Sequence, residues 1–265
     1  FPFNEGRLCP KGVQRYMQDN HPDRLLTPMK RVEGVGFVPI EWDEAFDVVV
    51  KEIRRIQEKY GRNAFAMLSG VSLSTEKSYT VGKFARVALK TANLDYNGRL
   101  CMVSAGAANK KAFGMDRSSN SWADLAHAEV IIITGANVSE CFPVLTYRIW
   151  EARDNGAKII VIDPRQIPIA RTADLHLPVR PGTDTALTNT MLKVLIDNDW
   201  LDHDFIDNYT SGWEETIKEV EHCTLEWGEK ITGVPADLIY KAAEMWGKAK
   251  TSFLMHARGI EQHRK

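Results

Sequence analysis

Val130-Ile131-Ile132-Ile133 and Lys158-Ile159-Ile160-Val161-Ile162 are short, nearly continuous apolar runs bounded by turn residues. Such runs belong to strands buried on both faces, as in parallel sheets covered by helices. Gly135-Ala136-Asn137 supplies a turn after the first, Phe142 to Arg153 reads as a helix, and Asp154-Asn155-Gly156 ends it. Residues 129–164 are therefore predicted to form a β-α-β unit finishing at Asp163. Elsewhere helical spacing dominates. Ala45, Phe46, Val49, Val50, Ile53 and Ile56 recur at threes and fours between Trp42 and Tyr60, with Asp43 as the expected cap and Gly61 as the stop. A short strand over 64–68 and a helix over 75–90 complete a first α/β unit. Arg180-Pro181-Gly182-Thr183-Asp184 opens a helix through Met191, Leu192 and Leu195, with Asp184 as the expected cap. The Asp184 carboxylate either caps that helix or meets a guanine edge, and spacing leaves both open. Ser252 to Met255 reads as a last strand, running into the polar stretch His256 to His263. Residues 1–40, interrupted by Pro22 and Pro28, read as an irregular segment without a core of its own.

Composition narrows the function classes. The 265 residues carry 34 basic and 35 acidic side chains, a net charge of −1 that gives no electrostatic reason to expect nucleic acid or a membrane surface as partner. No apolar run approaches the ~20 residues needed to span a bilayer, and the first residues lack a signal peptide's charged start and apolar middle. A cytoplasmic protein is expected on that ground. The chain begins on Phe1 and ends on Lys265 inside an apparent motif, so it is expected to be a piece of something longer. Its four cysteines, Cys9, Cys101, Cys141 and Cys223, are far apart and form no disulfide framework.

Candidate chemistry concentrates at a few turns. Asn97-Gly98 delivers Cys101 to the start of a small-residue run, where a helix start favours a thiolate and small side chains let a large group approach. Gly6-Arg7-Leu8-Cys9-Pro10-Lys11-Gly12 places a second cysteine between glycines with a lysine two residues on. The first β-α turn and the acidic end of the second strand are where such folds bind phosphates and a ribose or base edge. The turn lacks G-x-G-x-x-G, so an ordinary nicotinamide site is not supported. His256 and His263 lie seven apart across a glycine loop with no evident third ligand, a weak basis for zinc. Cys223 is expected to be buried and inert.

Five ordered motifs, Gly6 to Gly12, Asn97 to Ala105, Gly135 to Pro143, Asp163-Pro164-Arg165 with Arg180 to Asp184, and Gly259 to His263, together resemble the molybdenum bis-pterin-guanine-dinucleotide oxidoreductases. This dimethyl-sulfoxide-reductase superfamily includes nitrate reductases and formate dehydrogenases. The resemblance implies an α/β fold with a Rossmann-like parallel sheet, flanking helices and the remnant of an N-terminal iron–sulfur domain. It implies the end of a [4Fe–4S] domain over 1–40, the first part of an α/β domain over 41–100, a dinucleotide-binding domain over 101–250 and a return to the α/β domain over 251–265.

The same resemblance implies roles residue by residue. Cys9 is the last thiolate ligand of the cluster, Lys11 helps electrons pass from cluster to pterin, and Cys101 is the protein ligand to molybdenum. Asn97, Asn137, Glu140 and Cys141 line one pterin-guanine dinucleotide, Asp163, Arg165, Gly182 and Asp184 its guanosine end, and Arg258, Gly259 and Gln262 approach the other pterin. The family's first three cluster cysteines have no counterpart here. Formate dehydrogenases of the family place a histidine directly after the metal ligand, whereas this chain has Met102, as nitrate reductases do. The implied reaction is nitrate reduction to nitrite by oxygen-atom transfer, with a small oxyanion as substrate and an electron-donor protein or subunit as partner. The alternatives are a formate dehydrogenase-like enzyme and a non-catalytic iron–sulfur scaffold.

Overall fold

A computed structural model describes residues 4–263; residues 1–3 and 264–265, at the ends of the expected 1–40 and 251–265 regions, lie outside the described residues. The chain divides into two compact units, residues 8–103 and residues 4–7 with 104–263.

The first unit begins with two short helices, α1 (Pro10–Val13) and α2 (Arg15–Asp19), and an antiparallel hairpin, β1 (Met29–Val32) with β2 (Gly36–Pro39). Residues 8–40 thus lack a core, as the sequence predicts, but a hairpin follows Pro28 within the segment expected to be irregular. Helix α3 (Trp42–Tyr60) ends at Gly61, whose φ of 89° suits glycine. Its N-cap is Glu41 and no side chain caps it, so Asp43 lies inside the first turn instead of capping it. Next come β3 (Met67–Ser69), α4 (Thr75–Lys83) with Ser74 accepting the Lys77 N–H, β4 (Leu94–Tyr96) parallel to β3, and α5 (Gly98–Cys101).

The second unit takes up α6 (Val103–Phe113) after its first residue and is built on a four-stranded parallel sheet. Its strands are β5 (Val130–Thr134), β6 (Lys158–Ile162) and β7 (Leu175–Leu177), with α7 (Val138–Cys141) and α8 (Thr146–Asp154) between the first two. Then follow α9 (Asp184–Asp197), α10 (His203–Tyr209), α11 (Trp213–Val220), α12 (Leu225–Thr232), α13 (Ala236–Gly247), β8 (Ser252–His256) and α14 (Arg258–Glu261). The order is β7-β6-β5-β8. Strand alternation sends Ile131, Ile133, Ile159 and Val161 to one face, against Leu125, Ile149 and Ala152. Val130, Ile132, Ile160 and Ile162 go to the other, against Leu187, Met191, Ile239 and Ala243. Both faces are covered, which is why the two runs are continuously apolar.

Three local readings are corrected. The helix expected over 142–153 becomes α-helical only at Thr146, after a 3₁₀ turn over Pro143–Leu145, and a short helix not foreseen, α7, precedes it and stops where Pro143 has no N–H to continue it. Thr183, not Asp184, is the N-cap residue of α9. The strand at 252–256 pairs in parallel with β5 over its whole length, so this segment completes the dinucleotide-type sheet and not the α/β unit of residues 41–100.

Candidate functional site at the carboxyl edge of the sheet

In an open parallel sheet, ligands bind beyond the carboxyl ends of the strands where the strand order reverses. Here the chain moves outward from β5 to β6 to β7, and β8 returns to the opposite flank of β5, so the reversal lies between β5 and β8. The loops that follow these two strands touch at two glycines. The N–H of Gly259 donates to the Gly135 carbonyl at 3.0 Å. A Cβ on Gly135 would stand 2.5 Å from the Ile260 nitrogen, and one on Gly259 would stand 2.6 Å from the Gly135 Cα, so neither position accepts a side chain without moving backbone. Gly135 also has φ +57°. The close approach leaves exposed backbone at the reversal, as a cradle for a large ligand requires.

Around this junction lie polar atoms that the fold buries without satisfying. Thr134 Oγ1, at the end of β5, and Asn137 Oδ1, in the following turn, are buried and have no hydrogen-bond partner. Buried polar groups are nearly always satisfied, so two orphans on one edge indicate a ligand's place. Asp163 follows β6, is 8% exposed, and accepts the Arg165 N–H at 2.8 Å through Oδ1. Asp184, at the start of α9, is 6% exposed; its side chain makes no capping bond, and its Oδ2 lies 3.0 Å from His263 Nε2. The structure thus decides against helix capping for this carboxylate. Arg165 and Gly182 are exposed on loops after β6 and β7, and Arg258 is exposed at the first position of α14 after β8. Glu261 accepts from His256 Nδ1 at 2.8 Å and from Arg258, which braces the loop after β8. Burial, and then the Arg258 charge, hold His256 below the usual histidine range. Glu140 and Cys141 sit in α7, directly after Asn137, and Gln262 directly after α14.

Cys9, Lys11, Asn97, Cys101 and Met102 belong to the other unit. Asn97 follows β4 and its Oδ1 accepts the Val71 N–H at 2.7 Å, tying together the loops after both parallel strands. Gly98 comes next because a Cβ there would stand 2.1 Å from the Tyr96 ring. Cys101 is half-buried at the end of α5, and Met102, with φ −139°, separates it from α6. The small-residue helix begins two residues after Cys101, at Val103. Cys9 precedes α1, and the Gly12 N–H, followed by the Lys11 N–H and charge, holds its thiol below the usual cysteine range. That is an environment for a metal-binding thiolate. Cys223 is fully buried, and burial pushes its thiol up.

Sequence reasoning missed Thr134 as part of this edge, although a polar residue ending the run Val130 to Ile133 was an available signal. It placed His263 in the polar stretch after the last strand but not beside Asp184, which is distant in the chain. Among the described residues no group of three or more His, Cys, Asp or Glu gathers at a common point, and no helix is long and apolar enough to cross a membrane.

Comparison with known proteins gives the family. The chain is 39% identical to the assimilatory nitrate reductase catalytic subunit of Bacillus subtilis (strain 168) over 98% of its own length and 37% of the relative's. It is 36% identical to the F420-dependent formate dehydrogenase subunit alpha of Methanocaldococcus jannaschii, over 98% of this chain and 38% of that one. It is likewise 36% identical to formate dehydrogenase H of Escherichia coli (strain K12), over 98% and 37%. Among solved structures it superposes on acetylene hydratase from Pelobacter acetylenicus with TM-score 0.72 and 28% identity, covering 97% of this chain and 35% of that one. The chain spans little more than a third of the length of these relatives. The sequence pattern of the family described as molybdopterin oxidoreductase matches residues 24–264, and with that match the chain belongs to the molybdopterin oxidoreductase family.

Proposed function

We propose that this chain is part of the catalytic subunit of a nitrate reductase that holds molybdenum as a bis-pterin-guanine-dinucleotide complex and receives electrons through a [4Fe–4S] cluster. The single observation carrying the substrate assignment is Met102 directly after Cys101. A thioether takes up no proton, so this position cannot do the acid–base work that a histidine there performs on formate. The likeness to an assimilatory nitrate reductase supports the same reading, and a cytoplasmic setting is part of the proposal.

The residues present fit the cofactor. The glycine junction and the orphaned Thr134 and Asn137 oxygens suit a large ligand rich in donors, and two buried carboxylates suit purine and ribose N–H and O–H groups. In this reading Cys101 ligates the metal, and Asn97, Asn137, Glu140 and Cys141 line the pterin-guanine dinucleotide. Asp163 and Asp184 accept from the guanosine end, Arg165 neutralises phosphate charge and Gly182 keeps the turn open. Arg258, Gly259 and Gln262 serve the second pterin. Cys9 ligates iron and Lys11 lowers the electrostatic cost of electron passage. When bound, the cofactor supplies the Lewis acidity and two-electron redox change that conversion of nitrate and two protons to nitrite and water requires. The protein's part is position, charge and exclusion of water.

A formate dehydrogenase-like activity is the second reading, favoured by the formate dehydrogenases among the relatives. Reduced-viologen oxidation by the anaerobically purified full-length protein, with nitrate as acceptor, separates the two. Nitrite formation abolished by Cys101→Ala is the expected result. Formate oxidation with no nitrate reduction would overturn the assignment from Met102. Iron without molybdenum or tungsten in the purified protein would point instead to an electron-transfer scaffold.

A further inference from the structure

Asp184 and His263 stand on segments that follow opposite outer strands. Asp184 lies seven residues after the end of β7 and His263 seven residues after the end of β8. Three strand spacings, about 14 Å, separate those strands. Yet the His263 Nε2 comes within 3.0 Å of the Asp184 Oδ2. The segment after β8 therefore folds back along the carboxyl edge, and it is fixed at three places. Gly259 is bonded to Gly135, Glu261 braces His256 and Arg258, and His263 meets Asp184.

The carboxylate this segment reaches has its side chain 92% buried, with a relative exposure of 8%, and caps no helix. A buried carboxylate without a fixed partner is costly and poorly oriented. His263 is within ion-pair distance but lies outside hydrogen-bond alignment, its Nε2 having no hydrogen-bond partner. It therefore confines the carboxylate without saturating it, and oxygen lone pairs stay available to a ligand.

We infer that His263 is the positioning residue for Asp184, and that the strap from β8 to His263 thereby sets the preference of this end of the crevice for guanine over adenine. The inference rests on the dinucleotide reading above. Guanine presents adjacent N1–H and N2–H donors to a fixed carboxylate, whereas adenine presents an acceptor at N1. Holding Asp184 in one orientation makes that difference count, because an ill-oriented carboxylate accepts from either purine through one oxygen.

The test is calorimetric titration of GMP and of AMP into the cofactor-free full-length protein. Wild type is expected to bind GMP at least tenfold more tightly than AMP, and Asp184→Asn to abolish that ratio. His263→Ala is expected to weaken GMP binding about tenfold while leaving AMP unchanged, and His263→Gln, which retains a donor, to restore part of the preference. Melting curves of each variant identify loss of fold, and His263→Gln carries the test if the alanine variant unfolds. If Asp184→Asn loses the preference and both His263 variants keep it, the positioning role is overturned and the dinucleotide reading stands. If wild type shows no preference for GMP, both fall.

Discussion

The sheet of the second unit and helix α3 of the first are equally plain in the sequence and opposite in the structure. Every residue of β5 is buried, and so are four of the five in β6. Helix α3 has a well-formed apolar stripe and not one buried residue; Trp42 and Phe46 are each 60% exposed and Val49 54%. A periodic pattern therefore reports which face an element is built to bury, and says nothing of what covers it. For β5 and β6 the cover comes from α8 on one side and α9 and α13 on the other. For α3 no described residue provides it to the burial level seen in the sheet.

Substitutions sharpen this contrast, and the largest effects belong to the sheet. Ile160→Ala, at a fully buried position, is expected to lower unfolding free energy by about 2–5 kcal/mol in denaturant titration. Gly135→Ala is expected to lower it by roughly 2–4 kcal/mol through its left-handed backbone and the clash at Ile260, and to abolish GMP binding with it. A gain is expected at Asp199, which has φ 54° just after α9; Asp199→Gly should stabilise the protein by about 0.5–1 kcal/mol. His203 pairs with Asp199 at 2.6 Å, which raises it above the usual histidine range. That pairing stabilises wild type below the ordinary histidine value and is lost as pH rises through the raised value. The advantage of Asp199→Gly should accordingly be larger at pH 8 than at pH 6. In α3, Val49→Ala should change stability by less than ~0.5 kcal/mol, and a sheet-sized loss there would break the contrast. Finally, with no stability change involved, iodoacetamide should label Cys9 of the cluster-free protein at lower pH than an ordinary thiol and leave Cys223 unmodified until unfolding, as read by mass spectrometry.

Legibility followed the same division. Strands β5, β6 and β8 and the end of α3 at Gly61 could be read because each depends on a local run or a local stop. The three-residue β7 was too short to carry a period, and the hairpin β1–β2 is exposed, so no burial alternation marked it. The four-residue α7 ahead of Pro143 was likewise too short to carry a period. The break at Met102 has no local signal, since nothing in Leu100 to Ser104 forbids a continuous helix. Of the site, the turn at Gly135 to Asn137 and Asp163 were read from their position at strand ends, and Asp184 from its position at a helix start. The partnership of Asp184 with His263 and of Gly135 with Gly259 was not, because each depends on residues brought together only by the β5–β8 pairing.

That pairing also fixes an order of events during synthesis. Glu129 and Thr251, bonded where β5 and β8 begin, are 122 residues apart. While a ribosome is still making the intervening helices, β5 has one flank open, and the glycine junction does not exist. The crevice comes into being only once residue 259 has left the exit tunnel and folded back, so a ligand that needs both sides of it is received only after the whole of residues 129–259 has been made.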